Sequence, residues 1–295
     1  MKILITGANG FLGYYLVKQL LEKGIYVIAT GKGDGRLPFS YHSNFIYREM
    51  DFTDPFRVQD VFKEINPDVV IHSGAMSKPD ECELKKWEAY LVNVEGTLSV
   101  LLNAAEYKSH FIFLSTDFVF DGEKGMYAED DVVNPVNYYG KTKLEAEDAV
   151  KEYEHDWTIV RTITVYGKTH SGRASFPELI KEKLLKGESY QIFNDQFRTP
   201  TYVEDLCSGI ISIIRKKAIG IYHLSGTDIL TPYQMALRVA AYLNADSSQL
   251  RHVTASEFSQ PAARPKKTGF KIEKARRELD FSPIGFNEGL KKTLE

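Results

Sequence analysis

An apolar strand pattern at Lys2–Thr6 runs directly into Gly7-Ala8-Asn9-Gly10-Phe11-Leu12-Gly13, and a helical apolar pattern, Phe11–Glu22, starts inside that turn. Strand, glycine-rich turn and helix in this order form the opening of a parallel β-α unit. Gly7 permits the tight turn, Gly10 lets the backbone approach a pyrophosphate, and Gly13 lets the helix pack close to the strand. The helix N-terminus adds amide donors and partial positive charge for phosphate. The spacing is G-x-x-G-x-x-G, one residue longer at the front than the commoner dinucleotide-binding form.

The pattern continues as alternating strands and helices. Strands are expected at 25–30, 45–49, 68–72, 111–115 and 158–161, and helices at 55–64, 85–107 and 139–153. Continuously apolar strands such as Val69-Val70-Ile71 suit a parallel sheet buried on both faces. Right-handed crossovers then give a doubly wound sheet whose ligands sit beyond the strands' carboxyl ends. In the second half, helices are expected at 176–185, 204–215, 232–243 and 272–278, with strands at 191–193 and 220–224. With no low-complexity linker, the fold class reads as α/β, a Rossmann-type doubly wound parallel sheet with a smaller interleaved α/β substrate domain. Residues 1–162 are assigned to NADP(H) binding, with returns near 200–224, and 163–295 mainly to substrate binding.

The 295 residues carry a net charge of −3, so no basic field points to nucleic acid. No apolar run approaches the ~20 residues of a membrane helix, and the N-terminus has no signal-peptide pattern. Cys82 and Cys207 fit no metal or redox spacing. They read as small buried thiols in a cytoplasmic protein. Asp80, Glu81 and Glu83 form no metal spacing with any histidine, and no metal site is expected.

Tyr139 precedes Lys143 by four residues on a predicted helix, which places a phenol and an ammonium on one face. Ser115-Thr116 ends a predicted strand about two dozen residues upstream. Together they form a set for carbonyl reduction in which a nicotinamide supplies hydride and Tyr139 the proton. Lys143 is expected to lower the phenol's pKa and to bond the nicotinamide ribose. Thr116, or Ser115 beside it, is expected to donate to the substrate carbonyl. Tyr138 has no lysine four residues on. His72, His223 and Tyr166 read as structural, and Glu129-Asp130-Asp131 as a solvated loop face. After the second strand no acid appears until Asp34, whereas Lys32 and Arg36 can neutralise a 2′-phosphate. The cofactor is expected to be NADP(H), with NAD(H) as the alternative. Asp51 and Phe52 are placed beside the adenine.

These motifs resemble the extended short-chain dehydrogenase/reductase superfamily and, within it, the dTDP-4-dehydrorhamnose reductase family. The resemblance rests on Ser115-Thr116-Asp117-Phe118, Asn137-Tyr138-Tyr139-Gly140-Lys141-Thr142-Lys143, Asp195-Gln196-x-x-x-Pro200-Thr201 and Ala263-Arg264-Pro265. It implies an NAD(P)H-dependent oxidoreductase of dTDP-rhamnose biosynthesis that reduces a nucleotide-linked 4-keto-6-deoxy sugar. Thr116, Tyr139 and Lys143 would be the catalytic triad. Gly10, Phe11 and Leu12 would contact the cofactor phosphates, and Gly74, Ala75 and Met76 its ribose and nicotinamide side. Ser77, Pro79, Phe118, Phe176, Thr201 and Arg264 would lie near the nucleotide sugar. Superfamily members often pair through exposed helices, which implies a homodimer. Two positions depart from the family pattern: Thr164 stands where a Trp is usual, and Phe118 where a Tyr is usual. These departures keep open an epimerase or reductase acting on another sugar nucleotide. Relatives also include a regulatory subunit that binds a methionine adenosyltransferase, so a non-catalytic reading stays open too.

Overall fold

Strands made of unbroken Ile, Val and Phe need cover on both faces, and the helices between them provide it. The computed structural model describes residues 1–170, 172–257 and 260–295. The first half runs β1 (Lys2–Thr6), α1 (Phe11–Glu22), β2 (Tyr26–Gly31), β3 (Phe45–Glu49), α2 (Pro55–Ile65), β4 (Val69–His72), α3 (Pro79–Leu84) and α4 (Lys86–Tyr90). A π-helical turn (Leu91–Glu95), α5 (Gly96–Glu106), β5 (His110–Thr116), a 3-10 turn (Asp117–Val119), α6 (Tyr138–Lys151) and β6 (Trp157–Thr162) complete it. The second half adds β7 (Val165–Tyr166), α7 (Phe176–Leu185), β8 (Tyr190–Phe193), β9 (Thr201–Tyr202), α8 (Val203–Lys216), β10 (Gly220–His223), α9 (Pro232–Leu243), β11 (Leu250–Val253), α10 (Glu273–Leu279) and α11 (Phe286–Leu294).

Seven strands form one parallel sheet in the order β10-β6-β5-β4-β1-β2-β3. The order reverses between β1 and β4, which opens a crevice at their carboxyl ends. One apolar layer, with Leu16, Leu20, Ile210 and Ile214, covers one sheet face. A second, with Val58, Phe62, Val100 and Val150, covers the other. A separate core (Tyr166, Ile180, Ile192, Met235, Val239, Phe286, Leu290) holds α7, α9, α11 and the small β8–β11 pair together.

Local chemistry sets the element ends. The Asp54 carboxylate caps α2 by accepting from the Phe56 and Arg57 amides. Reciprocal capping boxes start α7 (Ser175 with Glu178) and α9 (Thr231 with Gln234). The helix expected over 85–107 exists as α4 and α5 joined by the π turn, and α3 precedes it unforeseen. The short β7, β9 and β11 and helix α11 were likewise not anticipated from the sequence. Two- and four-residue strands carry too little alternation to be seen.

Candidate active site

The turn after β1 needs Gly7 at φ +66°, where a Cβ would also strike Gly74 at 2.8 Å. Gly13 lies so close to Ala8 that a Cβ would fall 2.4 Å from its carbonyl oxygen, which locks α1 against the turn. The resulting cleft of about 610 Å³ is lined by Gly7, Gly10, Phe11, Leu12, Gly13, Lys32, Asp51, Phe52, Gly74 and Ala75. Asn9, Arg36, Ser73, Ser77 and Val165 also line it. Lys32 Nζ sits 2.8 Å from Asp51 Oδ2, so the expected 2′-phosphate partner and the expected adenine partner are paired with each other.

Met76 stands off this wall, in the small apolar cluster around Tyr139 and Cys82. Its backbone is held by Asn93, whose Oδ1 accepts from Met76 N at 2.8 Å and whose Nδ2 donates to Met76 O at 3.1 Å and Thr142 Oγ1 at 3.0 Å. The π turn aims Asn93 inward. Asn93 therefore ties the loop after β4 to the helix bearing Tyr139 and Lys143. Its only trace in the sequence is one amide inside Leu91-Val92-Asn93-Val94.

Asn137 caps α6 by accepting from Gly140 N at 2.9 Å, which fixes the first turn and Tyr139 with it. Tyr139 is buried, and the Thr116 hydroxyl at the end of β5 lies close enough to favour the ionised phenol. Lys143, one turn on, is 2% exposed and stands over the Phe113 ring at 3.9 Å. Burial pushes the phenol's pKa well up, and only the Thr116 bond opposes it. Burial also lowers Lys143 to about 7, with the Glu147 carboxylate pulling it back up. This corrects the expectation that Lys143 lowers the phenol: in the free protein the phenol keeps its proton.

The Lys143 shift has a measurable consequence for stability. Its folded pKa lies below the usual 10.5. Between about 7 and 10.5 the unfolded chain therefore binds a proton that the folded chain has released, and this term makes stability rise with pH. Lys143→Met removes that slope. Its stability gain over the parent should shrink by on the order of 2 kcal/mol between pH 7 and 9 in urea melts. A constant difference would contradict the buried, depressed lysine.

A second cavity of about 730 Å³ opens beyond Phe118, whose ring centroid lies 5.6 Å from that of Tyr139. Its wall includes Thr164, Phe176, Tyr190, Gln196, Arg198, Arg251 and Arg264. Val165 lines the first cleft and Thr164 the second, so adjacent residues of one strand entry join the two. Ser77 and Pro79 line a third hollow of about 550 Å³ that shares Arg264 and Gln260 with the second cavity. Arg264 is oriented by Asp80, from N-η2 to Oδ2 at 2.8 Å. Thr201 lines none of these cavities. It is fully buried and donates to the Ile163 carbonyl at 2.7 Å. Gln196 is buried on the cavity wall, and its amide nitrogen has no partner among the described residues.

Beneath the site, Glu147 takes Arg161 Nε at 2.9 Å, Arg161 N-η2 at 2.6 Å and Ser115 Oγ at 2.5 Å. Ser115 is thus committed downward, which leaves Thr116 as the strand-end hydroxyl facing Tyr139. His223 bonds the Tyr127 carbonyl and His72 bonds Thr6 and Thr97. Glu129 is not a solvated loop acid: it is half-buried, accepts from His223 N at 3.1 Å and has a raised pKa through burial. Among the described residues, no helix is long and apolar enough to cross a membrane.

A Rossmann sheet with a glycine-turn cleft and a buried Thr-Tyr-Lys set defines an extended short-chain dehydrogenase/reductase. Within that class, the family model described as the RmlD substrate binding domain matches residues 1–295, and the chain belongs to that family. The spore coat polysaccharide biosynthesis protein SpsK of Bacillus subtilis (strain 168) is 30% identical over 295 residues, covering 100% of this chain and 97% of that one. Methionine adenosyltransferase 2 subunit beta of Xenopus tropicalis is 33% identical over 259 residues, covering 86% and 75%. The solved dTDP-4-dehydrorhamnose reductase of Bacillus anthracis str. Ames, in complex with NADP, gives a TM-score of 0.84 at 31% identity, covering 99% and 98%.

Proposed function

We propose that this protein is a cytoplasmic NADP(H)-dependent reductase of a nucleotide-linked 4-keto-6-deoxy sugar, with dTDP-4-dehydrorhamnose as the leading substrate. Residues 1–162, with returns near 200–224, would hold the cofactor, and 163–295 mainly the nucleotide sugar. The observation that carries this reading is a protonated, buried phenol one helical turn from Lys143, packed against Phe118 on the wall of the second cavity, in a fold whose glycine turn lines a separate cleft. When bound, the nicotinamide supplies hydride. Tyr139 gives the proton that quenches the developing alkoxide. Phe118, Phe176 and Arg264 would hold the sugar nucleotide, and the Gln196 amide would donate to one of its oxygens. A homodimer belongs to the same proposal and is read by sedimentation velocity.

The subunit-beta relative supports a second, non-catalytic reading. Against it stands the retention of Thr116, Tyr139 and Lys143 in one buried set. The test is NADPH consumption with a panel of 4-keto nucleotide sugars. Oxidation with at least one of them supports the enzyme. None, together with tight capture of a methionine adenosyltransferase, supports the subunit.

The cofactor preference rests on Lys32 and Arg36 lining the cleft where an acid would select NAD(H). Lys32→Ala should weaken NADPH several-fold, about 1 kcal/mol for an exposed charge, and leave NADH nearly unchanged in fluorescence titrations. Equal weakening of both would remove the 2′-phosphate argument.

A further inference from the structure

We infer that Asn9 and Tyr47 are positioning residues that set cofactor preference: together they pin the loop after β2 so that Lys32 and Arg36 face the cleft and the Asp34 carboxylate does not. The inference rests on the reading of Lys32 and Arg36 as the 2′-phosphate contacts. The loop, 32–37, has no strand or helix of its own, and Lys32, Asp34 and Arg36 are exposed. Were its backbone loose, a bound phosphate would have to offset the entropy of ordering it. Lys32 and Arg36 line the cleft, whereas Asp34, the one acid of the loop, and Tyr47 are not among the described residues on its wall.

Asn9 sits inside the glycine turn and is buried. Its Oδ1 accepts from Arg36 N at 3.0 Å, and its Nδ2 donates to Asp34 O at 3.0 Å and to Tyr47 Oη at 3.0 Å. These partners fix the amide's orientation, because a flipped amide would set oxygen against a carbonyl and nitrogen against an N–H. Tyr47, on β3, has its hydroxyl 2.7 Å from Gly33 O and 3.0 Å from Gly31 O. That hydroxyl accepts from Asn9, and its one proton serves the two carbonyls. Glu49 Oε1 accepts from Gly33 N at 3.2 Å. The loop also lies directly on the Tyr47 ring: a Cβ on Gly35 would fall 2.8 Å from its Cγ, and one on Gly31 would fall 3.2 Å from both Asn9 Nδ2 and Tyr47 Oη. One amide thus couples the turn expected to hold the pyrophosphate to the loop expected to hold the 2′-phosphate. The 2′-phosphate is the one group by which NADPH and NADH differ. A loosened loop therefore penalises NADPH selectively, and it frees an acid to approach the phosphate.

The test is cofactor binding, which needs no turnover. Tyr47→Phe keeps the ring against Gly35 and removes only the hydroxyl. In fluorescence titrations it should weaken NADPH by about 3–10-fold and NADH by less than about twofold. A merely structural role would weaken both alike. Asn9→Ala, inside the pyrophosphate turn, should weaken both cofactors, NADPH by the larger factor, and it keeps the test open if Tyr47→Phe does not fold. In a Lys32→Ala/Arg36→Ala background, Tyr47→Phe should no longer move the NADPH-to-NADH affinity ratio, because the groups it positions are gone. An unchanged ratio in folded Tyr47→Phe, or an equal fall in that background, overturns the inference. If losing Lys32 and Arg36 leaves the parent's ratio as it was, the 2′-phosphate reading falls and takes the inference with it. If that loss collapses the ratio and Tyr47→Phe does not move it, the inference falls alone.

Discussion

Tyr139→Phe lowers turnover by about 10²–10⁴-fold and leaves NADPH affinity unchanged. The substitution deletes one oxygen and keeps the ring, which packs against Phe118, Cys82 and Met76. The lost oxygen is the donor that the alkoxide needs, and the structure offers no ready replacement. Thr116 has its proton on Asp117, and Ser115 is bonded to Glu147. Lys143, titrating near 7, is seated over the Phe113 ring and is not placed to stand in for the phenol. Paired measurement of single-turnover NADPH oxidation and NADPH binding checks this. Turnover within about tenfold of the parent would show that another group protonates the product.

Arg161→Ala destabilises the protein by about 3–5 kcal/mol, the cost of leaving a buried carboxylate unpaired. Arg161 and Glu147 are 2% and 0% exposed and share two hydrogen bonds. Arg161 also reaches the Glu129 carbonyl at 3.4 Å and His223 Nε2 at 3.5 Å, and lies 5.1 Å from the Phe120 ring centroid. It pins β6, α6, β10 and the loop before α6 at one point. Replacing both partners, as in Arg161→Met with Glu147→Met, should recover most of the loss, because an apolar pair leaves no orphaned charge. Urea denaturation of the two single variants and the double variant reads this directly. A single-variant loss under about 1 kcal/mol would mean that the pair is better hydrated than its burial implies.

The parts of the molecule that were legible in the sequence share a physical reason. β1, the glycine turn and α1 are local: periodicity and glycine positions write them into one continuous stretch, Lys2 to Glu22. The Tyr139–Lys143 spacing is likewise one helical turn. What stayed hidden depends on contacts far apart in the chain. Asn93 acts through a π turn that no periodicity shows. Arg198 and Thr268 meet Asp117 from 81 and 151 residues away. Thr201 carries a family motif, yet its hydroxyl is spent on Ile163 inside the fold. Glu129 looks solvated beside two other acids and is drawn inward by the His223 amide. The pKa of Tyr139 could not be read either: sequence shows the neighbouring lysine but not the burial that overrides it.

The most direct test is stopped-flow mixing of the NADPH-loaded protein with dTDP-4-dehydrorhamnose, in the parent and in Tyr139→Phe. The account predicts one NADPH oxidised per site in the parent and loss of that phase in the variant, with cofactor still bound. Stable NADPH in the parent, or an equal phase in the variant, would contradict it.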